Sequence, residues 1–225
     1  MLSSISEYAW HLTQDTLFSN LYIDGTLDLT ENFGGKIILE TAYPYNHVVN
    51  YKFVPVKETM YVPLAIRIPA WSENTKILLN GKPAEYEMKA GYAYIFGEYR
   101  AEDIITVELD MEVKRVYTSS RVAANTGKAA LQRGPLVYCA EGVDNENDVL
   151  SLSLKKDGKI TLSEYMPDKL CGIQELYAEG YREIVSDDLY SYDAPVTKEC
   201  QITLVPYYSL GNRGLNQMRV WIPIS

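Results

Sequence analysis

The residue types that carry most enzyme chemistry are scarce in this chain. Its 225 residues hold three cysteines, Cys139, Cys171 and Cys200. They are far apart and odd in number, which argues against a disulfide framework and suits a reducing compartment. Zinc sites need closely spaced Cys and His ligands, and no two of these cysteines are close. There are two histidines: His11 on the first helical stretch, and His47 beside a turn, where a solvated residue is the better reading than a base. No apolar run approaches the roughly 20 residues that span a bilayer. The start, "MLSSISEYAW", has no basic flank followed by an apolar block, so no export signal and a cytoplasmic location are expected. No Lys/Arg cluster interrupts a net charge of -9, and such a chain repels phosphate, so neither nucleic acid nor membrane is an expected partner. "TGKAALQRG" lacks the ordered glycines and lysine-hydroxyl pair of a nucleotide loop.

What the chain does have is tyrosine: 19, against four Phe and three Trp. With β-branched residues spread throughout, that bias favours pleated, half-buried surfaces. An apolar fraction of 47% and a charged fraction of 23% belong to a folded globular protein, and the length suits two domains. Leu2, Ile5, Tyr8, Ala9 and Leu12 share one face of a helix predicted over residues 2–11. The period then switches to two. "DTLFSNLYIDG", residues 35–42, residues 48–56 and "YVPLAIRIPAW" read as strands, with Pro63 marking an edge or bulge. "KILLNGKPAEYE" is a hairpin turning at Asn80-Gly81, and "GYAYIFG" with "DIITVELDMEV" is expected to make a further pair. From Lys128 short strands begin again, through "AALQRGPLVYCAE", "VLSLSL", "KITL", "YREIV", "CQITLVPYY" and "MRVWIPI". The expected class is all-β, two antiparallel β-sandwiches in tandem after a short helix.

Glycosidase chemistry needs two carboxylates facing each other across a sugar. Thirty acidic residues identify no such pair, and Glu31, Glu40, Glu141 and Glu164 read as solvated charges at strand ends. Trp71, Tyr92, Tyr94, Tyr207, Tyr208 and Trp221 could each offer a flat face to a sugar, although aromatic residues in strands more often serve packing.

Several stretches together carry a resemblance. "VAANTGKAALQRGPLVYCAEGVDN", "LAIRIPAW" with "LLNGKP", "GYAYIFGEYRAEDIITVELDMEVKRV" and "LVPYYSLGNRGLNQMRVWI" resemble, in order, the region after the catalytic domain of the β-L-arabinofuranosidase family, glycoside hydrolase family 127. The specific parts are Gln132 to Tyr138, Pro206-Tyr207-Tyr208 and Asn212-Arg213-Gly214. The resemblance implies an (α/α)6 barrel holding the active site, followed by two sandwiches. Here residues 1–14 would be the remnant of the last barrel helix, 15–119 the first sandwich and 120–225 the second. The family's cysteine nucleophile, its zinc and its glutamates would lie in the barrel, so no catalytic, cofactor or metal residue is carried over, and Cys139 does not inherit the nucleophile's role.

The implied function is therefore a non-catalytic sandwich region that supports or docks a helical-barrel catalytic domain. Leu2, Ile5, Tyr8, Arg133, Tyr207, Tyr208, Asn212 and Arg213 are the candidate docking residues. A separate barrel chain is the implied partner, with a homodimer as a further arrangement. The alternative is a free-standing carbohydrate-binding sandwich.

Overall fold

The computed structural model describes residues 5–184 and 188–225. They form two compact units, dividing between Met111 and Glu112, and both are built almost wholly of strands.

The first unit opens with a five-residue helix, α1 (Ile5–Ala9), shorter than the expected one because strand β1 (Trp10–Leu12) replaces its end. β1 pairs with β2 (Leu17–Ser19), and Trp10 meets Tyr51 edge to face, with ring centroids 6.1 Å apart. Pairing in the sheet overrides the 3.6-residue pattern that drew residues 10–12 into a helix, a common outcome where tertiary packing outweighs local propensity. His11 accordingly lies on a strand. Leu2 lies outside the described residues.

The remaining strands are β3 (Gly25–Leu29), β4 (Gly35–Thr41), β5 (Val48–Pro55), β6 (Met60–Arg67), β7 (Lys76–Leu79), β8 (Lys82–Pro83), β9 (Glu87–Lys89), β10 (Tyr92–Tyr99) and β11 (Ile104–Glu108). Helix α2 (Thr30–Phe33) sits between β3 and β4. One sheet has the order β1-β2-β6-β10-β9, the other β3-β4-β5-β11-β7-β8. The strands alternate, so Val62, Leu64 and Ile66 of the first sheet share one core with Ile37, Leu39, Val49, Tyr51, Phe53, Ile105 and Val107 of the second. Each such side chain contributes about 1.5–3 kcal/mol by leaving water. Ser19 Oγ and the Tyr51 hydroxyl, 2.9 Å apart, join the sheets by a hydrogen bond, and Tyr99 stacks on Phe53 at 3.9 Å.

Local chemistry explains the details. Asn80 and Gly81 take φ of 52° and 76°, the geometry of a type I′ turn, and β7 returns as β8. The pair expected between "GYAYIFG" and "DIITVELDMEV" does not form: β10 pairs with β6 and β9, and β11 with β5 and β7. The core side chains of β10 and β11 face each other from opposite sheets instead. Pro63 lies in a central strand, opposite Phe96. It is tolerated because β2 pairs only with Leu64, Ala65 and Ile66, so beyond Leu64 that flank of β6 behaves locally as an edge.

The second unit comprises β12 (Val113–Tyr117), β13 (Lys128–Arg133), β14 (Leu136–Glu141), β15 (Leu152–Leu154), β16 (Ile160–Leu162), β17 (Leu176–Glu183), β18 (Thr197–Pro206), β19 (Met218–Arg219) and β20 (Ile222–Pro223). "VKRVY" is thus a strand of this unit, paired with β13. β13 and β14 form the expected hairpin, with Gly134 at φ 53°. The main path is β12-β13-β14-β18-β17-β15, with β16 on β17, β19 on β14 and β20 on β13. Ile224 bridges Leu154, and the Ser225 N–H donates to the Leu154 carbonyl at 2.9 Å. The hydrogen-bonded path from β13 through β15 and back by β20 is therefore closed. Leu131, Leu152, Leu154, Leu176, Ile202, Leu204 and Ile222 are buried in this unit. At Gly180 an added Cβ would stand 2.4 Å from the Ser153 carbonyl oxygen, so β15 and β17 require glycine there.

Candidate functional site

The outer side of the five-stranded sheet is aromatic. Successive outward positions are Tyr61, Pro63, Ala65 and Arg67 on β6, and Tyr92, Tyr94, Phe96 and Glu98 on β10; the register sets Tyr92 opposite Arg67, Tyr94 opposite Ala65 and Phe96 opposite Pro63. β2 adds Phe18 beside Ala65, and β1 adds His11 opposite Phe18. Phe18 meets Tyr92 at 5.3 Å and Tyr94 at 6.0 Å, both edge to face, and Tyr94 meets Phe96 at 6.2 Å. The small residues Pro63 and Ala65 are buried, whereas Phe96 and Tyr61 remain 56% and 53% exposed. A solvated antiparallel face is normally polar; this one carries a band of rings.

A cavity of about 280 Å³ opens at one end of the band, lined by Ile5, Asn20, Leu21, Tyr22, Ile23, Tyr43, Arg67 and Pro69. Tyr22 packs edge to face on Tyr43, and its hydroxyl donates to the Arg67 carbonyl. Burial raises both phenols above the usual tyrosine range, with the Arg67 charge acting in the opposite sense on each. Asn20 is committed already, accepting from the Tyr92 hydroxyl at 2.8 Å and donating to the Tyr8 carbonyl at 3.3 Å. Among the described residues of the lining Arg67 is the only charged one.

Among the described residues a charged cluster lies in the second unit, around the Asn212-Arg213-Gly214 motif. Glu141, at the end of β14, is wholly buried. Arg213 donates to it and, at 2.7 Å, to Asp144. Lys169 pairs with Glu175 at 2.5 Å and stands 3.6 Å from Asp144. The Asn216 amide and the Gly211 N–H each donate to Glu141 at 3.2 Å. Burial by itself would raise the Glu141 carboxyl, but hydrogen bonds from Arg213, Asn216 and Gly211 outweigh it and hold the group below its ordinary range. Every carboxylate here has a cation or donor on it, which is the arrangement of a structural pin joining the 3-10 turn at Gly142–Asp144 to the loop after β18. The solvated strand-end reading of Glu141 is overturned, because sequence spacing did not reveal that a cation 72 residues later folds over it.

The expected docking residues part company. Ile5 and Tyr8 are exposed on α1, Tyr8 by 67%, and Ile5 joins the cavity at the end of the aromatic band. Tyr207 and Tyr208 are exposed in a 3-10 turn. Arg133 is only 7% exposed, and its Nη1 donates to Gln174 Oε1 at 3.4 Å. The Asn212 amide is spent on the Ser209 carbonyl at 3.0 Å, and Arg213 on the acidic pin. Trp71 packs against the first core. Glu40 pairs with Lys52, while Glu31 and Glu164 are exposed. Cys139 is buried and its thiol is pushed up to about 12, chiefly by burial, so it is no ready nucleophile. Among the described residues no group of three or more His, Cys, Asp or Glu side chains is placed to hold a metal ion, and no helix is long and apolar enough to cross a membrane.

Sequence reasoning named Tyr92 and Tyr94 but missed Phe18, Tyr61, Phe96 and Arg67. The signal was present in "YAYIF", where both alternating sets are apolar, a pattern of strands covered on both faces.

Comparison with known proteins agrees with this architecture. The family model for the middle domain of glycoside hydrolase family 127 β-L-arabinofuranosidases matches residues 16–111, and that for the family's C-terminal domain matches 113–223. A non-reducing end β-L-arabinofuranosidase from Bifidobacterium longum is 34% identical over 216 residues, 92% of this chain but 32% of the relative. A family 127 β-L-arabinofuranosidase from Geobacillus stearothermophilus T6 superposes with a TM-score of 0.91 at 33% identity, over all of this chain and 36% of that one. A family 127 β-arabinofuranosidase gives 0.90 at 26% identity, covering 37% of its own chain. The chain thus spans about a third of the length of these relatives. It belongs to glycoside hydrolase family 127, whose middle and C-terminal β-domains it comprises.

Proposed function

We propose that this chain is the non-catalytic β-sandwich part of a β-L-arabinofuranosidase-like glycoside hydrolase, and that it docks a helical catalytic domain contributed by the remaining two thirds of such a protein, on the same chain or a separate one. The observation that carries this is the aromatic outer face of the five-stranded sheet. An exposed apolar patch rimmed by polar groups is characteristic of an interaction surface. Its rings interlock edge to face near 90°, which favours a ridged protein surface over the flat stacking platform a sugar ring needs. The cysteine nucleophile and zinc of the chemistry then belong to the docked portion, and this chain alone releases no arabinose.

The test is co-expression of this chain with the part of the Bifidobacterium longum relative outside the matched third, followed by native mass spectrometry. A one-to-one complex is expected. It should be lost when Tyr94→Ala and Phe96→Glu are combined, while the variant chain still unfolds in one cooperative transition at a midpoint only a few degrees lower, the loss expected from the ring contacts of Tyr94. A chain that stays alone, a complex indifferent to that double change, or arabinose release by the isolated chain would each overturn the reading.

A further inference from the structure

We infer that the Arg67 cavity is a socket for an acidic side chain of the docked partner, so that docking is fixed by one charge-assisted anchor at the end of the aromatic band. This rests on the docking reading and deepens it. Arg67 follows the outward row of β6 and stands opposite Tyr92; Tyr92 is held in turn by Asn20, which lines the cavity. Band and cavity are therefore one continuous surface.

The donors and acceptors decide the occupant. A guanidinium presents five N–H donors in a planar fork suited to a carboxylate. No carboxylate among the described residues forms an ion pair with Arg67, although other arginines of the chain, Arg182 and Arg213, have such partners. Among the described residues the cavity wall contains no acidic side chain. Its remaining polar groups are largely spent, the Tyr22 hydroxyl on a backbone carbonyl and the Asn20 amide on Tyr8 and Tyr92. Leu21, Ile23, Pro69 and Ile5 supply apolar walls that would dry the pair and strengthen it. In a chain of net charge -9, this is a local positive point on the proposed interface, and it complements a negative one.

The same co-expressed pair tests it. Arg67→Glu should weaken the complex by about 30-fold or more, the loss typical of breaking a desolvated charge pair, and Arg67→Lys should weaken it less, because lysine keeps the charge without the fork. Binding by the unchanged protein should fall with added salt more steeply than binding by Arg67→Ala. The thermal midpoint of each variant chain should match the parent, since this side chain is exposed. If the parent pairs and Arg67→Glu pairs as tightly, the socket is wrong and docking on the aromatic band stands. If the parent does not pair at all, both fall.

Discussion

On the five-stranded sheet of the first unit, Phe18, Tyr92, Tyr94 and Phe96 turn their rings outward. In the second unit Glu141, Asp144 and Glu175 are drawn inward with Arg213 and Lys169. One region places apolar groups where water would be, and the other places charges where it is largely excluded. The exposed apolar surface is what the docking proposal requires of half an interface. The buried charges are tolerable because each has partners, and they serve this chain's own loops. On the docking proposal, exposed rings are the functional feature here, whereas the concentration of charge serves this unit's own structure. The six-stranded sheet supplies a comparison within the first unit: its outer side mixes the aliphatic Ile38, Val54 and Ile104 with Lys52 on Glu40, Lys36 on Asp28, and Thr106 donating to Asn50 at 2.9 Å, a mixed face with ion pairs in place of the rings.

The contrast can be broken most forcefully at the pin. Arg213→Ala leaves Glu141 buried without its cation, and losses of about 3–5 kcal/mol are expected for such a change. Urea unfolding of the whole chain, followed through the second unit, would register it; a loss below about 1 kcal/mol would mean water replaces the arginine. Acid supplies a milder version. The Glu141 carboxyl titrates lower in the folded protein than its ordinary 4.5, so its contribution is present above that value and is lost as pH falls through the lower folded one. The urea midpoint should decline below about pH 4.5, and decline less steeply in Glu141→Gln.

The aromatic band should answer in the opposite way. Phe96→Glu is expected to change stability by about 0.5 kcal/mol or less, yet to reduce binding of a hydrophobic dye and any self-association seen by sedimentation. Lys52→Ala on the mixed face should alter neither, with a stability effect of about 0–1 kcal/mol. The smallest effects separate buried hydroxyls. Tyr51→Phe removes the bond to Ser19 and should cost about 1 kcal/mol. Tyr138→Phe should be near neutral, because the Tyr138 hydroxyl is buried with no hydrogen-bond partner among the described residues. Thermal melts of the two variants would reverse this ranking if Tyr138 is paired in solution.

Much of the fold was legible in the sequence because its signals are local. Alternation located β4, β5 and β18, and positive-φ residues fixed the hairpins at Asn80-Gly81 and Gly134. The helix was overextended into residues 10–12 because the pairing that claims them comes from β2, outside any helical window. The pairing of "GYAYIFG" with "DIITVELDMEV" failed for a related reason: neighbours in sequence were assigned to one sheet when they belong to two.

By itself, then, the sequence determined the all-β class, the turns and the family motifs, since each depends on side-chain period or backbone preference within a few residues. Only the tertiary structure decided that "YAYIF" shows an aromatic side outward, that Arg67 closes a cavity with Tyr22 and Tyr43, and that Arg213 reaches back 72 residues to Glu141. Those outcomes depend on which strands become neighbours and which face is left uncovered. The free energy of burial sets both through contacts between distant parts of the chain, where local pattern carries no information.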